Sequence, residues 1–210
     1  MFANFVLTFD VLGTAVFAVT GALVASRKQM DIIGFMLLAV VTGVGGGSVR
    51  DTMLGALPVF WVEKPLYLGV CIAVAIGVFF LAHIPESRYR ALLWLDAAGL
   101  AVFCVVGAEK ALAAGASSLI AVAMGVATAT LGGVIRDVLG GEVPLILRKE
   151  IYVTAALAGA AMFVALDALG FAGPLAMCAG FALCFAVRAL ALHYHWSLPV
   201  YRARPGKTPE

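Results

Sequence analysis

Apolar residues fall along this chain in long windows separated by short polar turns. Each window is near the length that crosses a bilayer core, about 20 residues. The first covers residues 5–25, and Arg27, Lys28 and Asp31 form the turn after it. The second starts at Ile32, meets three glycines at 45–47, and continues as a short segment to Leu57 before Pro58. The third covers residues 66–81, after Glu63 and Lys64, and a loop of mixed charge follows at 83–90. The fourth covers 91–108. The fifth runs over 117–131, is interrupted by Gly132 and Gly133, and continues to Pro144. The sixth covers 151–166 and the seventh 171–190, before a polar, basic tail from His193. This pattern predicts an all-α integral membrane protein with seven transmembrane helices, the second and fifth broken at glycines.

Composition strengthens that reading. Of 210 residues, 63% are hydrophobic and 12% charged, where a soluble domain carries about 25% charged residues. Too little polar residue remains to cover a soluble helical domain. No basic region precedes the first window, so it is read as a retained span rather than a cleaved signal. Cys71, Cys104, Cys178 and Cys184 lie in apolar windows without metal-ligand spacing and read as small buried hydrophobes. No basic cluster reads as a nucleic-acid footprint. The basic residues instead orient the chain. Arg27 and Lys28, Arg88 and Arg90, Arg148 and Lys149, and Arg202, Arg204 and Lys207 follow the odd-numbered spans. This places the N-terminus outside and the C-terminus in the cytoplasm.

Charge inside the windows is rare, and it repeats. Residues 42–58, TGVGGGSVRDTMLGALP, return as 128–144, TATLGGVIRDVLGGEVP, at an offset of 86 residues (136 − 50), with seven of 17 positions identical. Residues 10–25 align with 96–111 at the same offset, with nine of 16 identical, Asp10 on Asp96 among them. Two matches at one offset, both holding intramembrane charges, indicate duplication. Residues 1–86 form the first three-helix repeat and 87–170 the second. Residues 171–192 are the seventh helix and 193–210 a cytoplasmic tail. Three spans per copy invert the second relative to the first, and paired interrupted segments in inverted halves point to a transport site. Gly45, Gly46 and Gly47 are expected to approach Gly132 and Gly133 near mid-membrane.

A helix break frees backbone groups that lipid does not satisfy, so it must line protein or water. Such a break holds an ion, narrows a pore or acts as a hinge. The alternative is close helix packing through small residues. The Arg–Asp pairs that follow, Arg50–Asp51 and Arg136–Asp137, favour the break. Intramembrane charges require partners, and residues i and i+1 do not face each other on a helix. Asp10 and Asp96 are therefore the expected partners of Arg50 and Arg136, as a charge network that holds or gates the path. Glu109 and Lys110 either flank that path or end the fourth helix as a solvated pair, with the helix end preferred. Thr42, Ser48, Thr128 and Thr130 are candidate pore hydroxyls, as are Thr14 and Thr20, unless each bonds back to its own i−4 carbonyl. Gly13, Gly21, Gly99 and Gly107 suit tight helix crossings. His83, His193 and His195 sit in a loop and the tail, and no catalytic constellation is evident, so the chain is not read as an enzyme.

Two copies of an early acidic residue followed by GG-x-x-RD and a proline resemble the prokaryotic branch of the trimeric intracellular cation channels. The same sequences are also grouped as a bacterial membrane family with glycine transporter domains. Gly46, Gly47, Ser48, Val49, Arg50 and Asp51, with Gly132, Gly133, Val134, Ile135, Arg136 and Asp137, carry the likeness. The resemblance implies a homotrimer in the bacterial inner membrane. Each protomer would hold its own pore, lined by its second and fifth helices at Gly45, Gly46, Gly47, Gly132 and Gly133. It implies potassium as the permeant ion, with sodium also passing, no cofactor, and bound membrane lipid. A secondary transporter of a small solute such as glycine is the alternative function, and a purely structural membrane protein the third.

Overall fold

The computed structural model describes residues 2–83 and 87–199. The basic tail residues Arg202, Arg204 and Lys207 lie outside them. Helices follow one another as α1 (Phe2–Arg27), α2 (Ile32–Leu54), α3 (Phe60–Glu63), α4 (Leu66–Leu81), α5 (Arg88–Ala113) and α6 (Ser118–Leu139). A 3-10 turn (Leu145–Leu147), α7 (Val153–Ala168) and α8 (Gly173–Tyr194) complete the order. No strand occurs among the described residues.

Local chemistry sets the helix ends. The Asp31 carboxylate accepts the Gly34 N–H at 2.8 Å, capping an otherwise orphan donor at the start of α2. Ser87 does the same for the Arg90 N–H at the start of α5. α2 ends at Gly55, whose φ of +68° favours glycine. Gly141, its counterpart 86 residues on, has φ +65° just past α6. This explains why that glycine is one of the identities between the two repeated segments.

α1, α2, α5, α6 and α8 are each long and apolar enough to cross a membrane. α4 and α7 are apolar but shorter, at 16 residues each. At 1.5 Å per residue each is about 24 Å long, less than a hydrocarbon core of about 30 Å. Large apolar side chains such as Ile33, Phe80 and Leu119 face outward. A lipid-facing surface tolerates this and a water-facing one does not.

The packing is doubled. α1 packs on α2 and α4, as α5 packs on α6 and α7; α2 packs on α4, as α6 packs on α7. The halves are joined chiefly by α1 on α5 and α2 on α6, with smaller contacts of α1 on α6 and α2 on α5. α8 lies outside this pattern, against α5 and α7. α5 is the most enclosed helix.

Candidate functional site: the crossing of α2 and α6 and its buried charges

The expected helix breaks are absent. α2 runs through Gly45, Gly46 and Gly47 to Leu54, and α6 through Gly132 and Gly133 to Leu139. The glycines instead let two backbones meet. A Cβ on Gly132 would lie 2.5 Å from the Thr42 carbonyl oxygen, and one on Gly46 would collide with the Thr128 carbonyl oxygen. Thr42 and Thr128 are repeat partners, and so are Gly46 and Gly132. Each contact is therefore the other with the copies exchanged, as a two-fold rotation requires. Gly13 against Phe103 and Gly99 against Phe17 form a second reciprocal set. Glycine here serves close approach, and the regular helical hydrogen bonds leave no carbonyls to line a break.

The hydroxyls follow their helices. Thr42 donates to the Leu38 carbonyl at 2.5 Å, Thr128 to Met124 at 2.6 Å, Thr130 to Val126 at 2.9 Å and Ser48 to Val44 at 2.8 Å. Ser48 also accepts the Trp61 indole N–H at 2.8 Å. These groups are satisfied without an ion.

The charges differ from expectation in two ways. First, each arginine does reach its neighbour. Arg50 donates Nε and Nη2 to Asp51 Oδ1, at 2.8 and 2.6 Å, and Arg136 Nε donates to Asp137 Oδ1 at 2.8 Å. The long guanidinium arm folds back along its own helix. The second carboxylate oxygen then accepts a backbone N–H from the next segment: Phe60 on Asp51 at 2.9 Å, Leu145 on Asp137 at 3.0 Å. Each aspartate thus ties the end of its helix to the turn that follows.

Second, the early aspartates take unlike partners. Arg136 Nη1 donates to Asp96 at 2.7 Å and to the Thr20 hydroxyl at 2.9 Å. Asp96 and Arg136 are wholly buried, and both belong to the second copy, so the pair lies within it. Asp10 does not meet Arg50, whose ion pair among the described residues is with Asp51. Asp10 takes Lys110 at 2.5 Å and the Tyr67 hydroxyl at 2.7 Å. The expectation of a solvated Glu109–Lys110 pair is therefore corrected for Lys110, which is the cross-copy partner of Asp10. A buried carboxylate needs a cation nearby, and Arg50 is already held by Asp51. Lys110 sits where the first copy has Val24, so the repeat itself offered no partner position for it, and only its charge next to the span marked it.

Lys110 and Tyr67 also line a cavity of about 530 Å³ at one end of the bundle, with Asp51, Phe60, Glu63 and Lys64. The Phe60 ring lies between two cations, 5.0 Å from Lys110 Nζ and 5.7 Å from the Arg50 guanidinium. Lys110 lines the cavity and its partner Asp10 does not. Lys110 retains 26% side-chain exposure against 2% for Asp10. No cluster of three or more metal-ligating side chains occurs among the described residues.

Comparison with known proteins gives a consistent picture. A family model described as "Glycine transporter" matches twice, over residues 7–83 and 93–168. A UPF0126 membrane protein of Vibrio cholerae is 43% identical over 196 residues, covering 91% of this chain and 81% of that protein. The UPF0126 inner membrane protein YadS of Escherichia coli is 43% identical over 195 residues, covering 91% and 94%. Among solved structures, the TRIC trimeric intracellular cation channel orthologue from Rhodobacter sphaeroides matches with a TM-score of 0.90 at 61% identity. That match covers 92% of this chain and 100% of the other. A prokaryotic TRIC channel in 0.5 M KCl matches with a TM-score of 0.87 at 29% identity, covering 94% and 100%.

Proposed function

The chain belongs to the prokaryotic trimeric intracellular cation channel family, and from that membership we propose that it conducts monovalent cations, potassium with sodium also passing, across the bacterial inner membrane. The observation that carries this reading is the match over nearly the whole chain to a solved cation channel orthologue. No enzymatic chemistry enters it. The protein works as a homotrimer with one path per protomer. Residues 1–86 and 87–170 act as inverted repeats, with the N-terminus outside and the C-terminus in the cytoplasm.

In this reading the path follows α2 and α6 and is shut in the conformation described, because Gly46 and Gly132 hold the two backbones together. Opening separates this crossing. The cavity at Lys110 is the outer vestibule, and the Lys110–Asp10 pair is its floor. A cation entering it meets the Lys110 ammonium before the Asp10 carboxylate, so conduction requires Lys110 to leave Asp10. Arg50 and Arg136 stay paired with Asp51 and Asp137. That neutralisation is what makes a path beside two arginines compatible with cations.

One observation favours a second reading. The family model carries the description "Glycine transporter", and a carrier uses inverted halves for alternating access. Purified protein in planar bilayers under a potassium gradient, with glycine flux in matching liposomes, separates the two. Discrete unitary cation currents are expected. Silent bilayers with saturable glycine uptake would overturn the channel reading.

A further inference from the structure

The two copies differ most sharply around one glycine. In the first copy a Cβ on Gly47 would lie 2.6 Å from the Phe60 ring, so an aromatic side chain fills that space. Gly133 is the counterpart of Gly47, 86 residues on. A Cβ there would meet no carbon among its three nearest neighbours. It would lie 3.2 Å from the Tyr152 hydroxyl, 3.5 Å from Arg136 Nη2 and 3.5 Å from Asp96 Oδ1. Polar atoms converge where the first copy has an aromatic ring.

Those same side chains are short of partners. The Tyr152 hydroxyl, Arg136 Nη2 and Asp96 Oδ2 are all buried and make no hydrogen bond to protein. Asp96 and Arg136 are fully buried, and Tyr152 is 2% exposed. Orphaned buried polar groups are rare because each costs free energy comparable to a lost hydrogen bond. Two of these orphans, the Tyr152 hydroxyl and Arg136 Nη2, border one small space, and the Asp96 carboxylate faces it with Oδ1, whose second lone pair can still accept. A ligand that answers all three is called for.

We propose that a buried water molecule is bound beside Gly133, joining Arg136, Tyr152 and Asp96. Its chemistry follows from the donor set. Arg136 Nη2 and the Tyr152 hydroxyl donate to it, and it donates to the Asp96 carboxylate. Three hydrogen bonds are what a buried water typically makes. A bare cation does not fit, since the guanidinium faces the space. An anion does not fit, since the carboxylate faces it too. The missing side chain of Gly133 supplies the room, so this glycine does a different job from Gly46 and Gly132, which are pressed against backbone. The bound water completes the Asp96–Arg136 network and holds the start of α7, through Tyr152, to α5 and α6. The inference does not depend on whether the protein is a channel or a carrier.

The test is a pair of substitutions at Gly133. Gly133→Ala puts a methyl group among three polar atoms and displaces the water. Gly133→Ser puts a hydroxyl near the water's position, where it can take over its bonds. Thermal unfolding of the purified protein in detergent is expected to show a clear fall in Tm for Gly133→Ala and recovery of most of it by Gly133→Ser. The larger side chain is thus the better tolerated, which a purely steric role for Gly133 does not allow. A structure of the wild-type protein at a resolution that shows ordered water is expected to have density within hydrogen-bond distance of Arg136 Nη2. Equal Tm values for wild type and Gly133→Ala, Gly133→Ser no better than Gly133→Ala, or Tyr152 bonded directly to Asp96 with no density between, would overturn the proposal.

Discussion

Asp10 and Asp96 occupy the same position in the two copies, yet their surroundings have diverged. Asp96 is sealed with Arg136, both without exposure, and Arg136 also holds Thr20 and Asp137. Asp10 holds a lysine that retains contact with a cavity, and Tyr67 completes its bonding. The difference follows from the cations. A guanidinium offers five donors in a planar fork and joins several acceptors at once. An ammonium on a flexible arm is more readily withdrawn. On the same backbone plan, the second copy holds its aspartate with a sealed guanidinium fork and the first with a single ammonium at the edge of a cavity.

Breaking the sealed pair should have the largest effect. Arg136→Ala leaves Asp96 and Asp137 buried beside no cation, which is expected to cost about 3–5 kcal/mol. Folded yield and Tm in detergent would fall together. Lys110→Ala is expected to cost about 1–2 kcal/mol, since Asp10 keeps Tyr67 and the lysine is partly hydrated. Equal losses in the two variants would remove the distinction between the copies.

The glycine crossing should show the opposite behaviour, symmetry. Gly46→Ala and Gly132→Ala each force a methyl group into a carbonyl of the facing helix. Each is expected to destabilise by about 1–3 kcal/mol, and the two by similar amounts. A large cost at one position alone would contradict the two-fold packing. The smallest effects are expected at Thr42→Val and Thr128→Val, whose hydroxyls only bond back to their own helices. Both threonines are buried, and a loss of about 0.5–1.5 kcal/mol, the net worth of one hydrogen bond, is expected at each, read by the same melting curves.

Much of this architecture was legible before any coordinates. The third apolar window, residues 66–81, coincides with α4, because hydrophobic length and polar turns are what a bilayer selects. The duplication was legible because rare charges and glycines recur at one offset. What glycines do was less so. A run of three signals that side chains are absent, but whether the backbone breaks or another backbone arrives depends on Thr128, 82 residues from Gly46 (128 − 46). The adjacent Arg–Asp pairs misled for a related reason. Helical geometry forbids neighbours from facing each other, yet an arginine arm is long enough to turn back when the carboxylate is fixed by the next segment, as Phe60 and Leu145 fix Asp51 and Asp137. Lys110 lay where the copies disagree, and an alignment built on identities passes over such positions.

In the proposed channel, the cation path ends at Lys110, which must withdraw from Asp10 for ions to pass. Single-channel recording of the wild-type protein and Lys110→Gln in symmetrical potassium solution tests it most directly. Unitary cation currents are expected from both, with open probability raised at least several-fold by Lys110→Gln. Open probability and conductance unchanged by Lys110→Gln, or no currents from either protein, would contradict it.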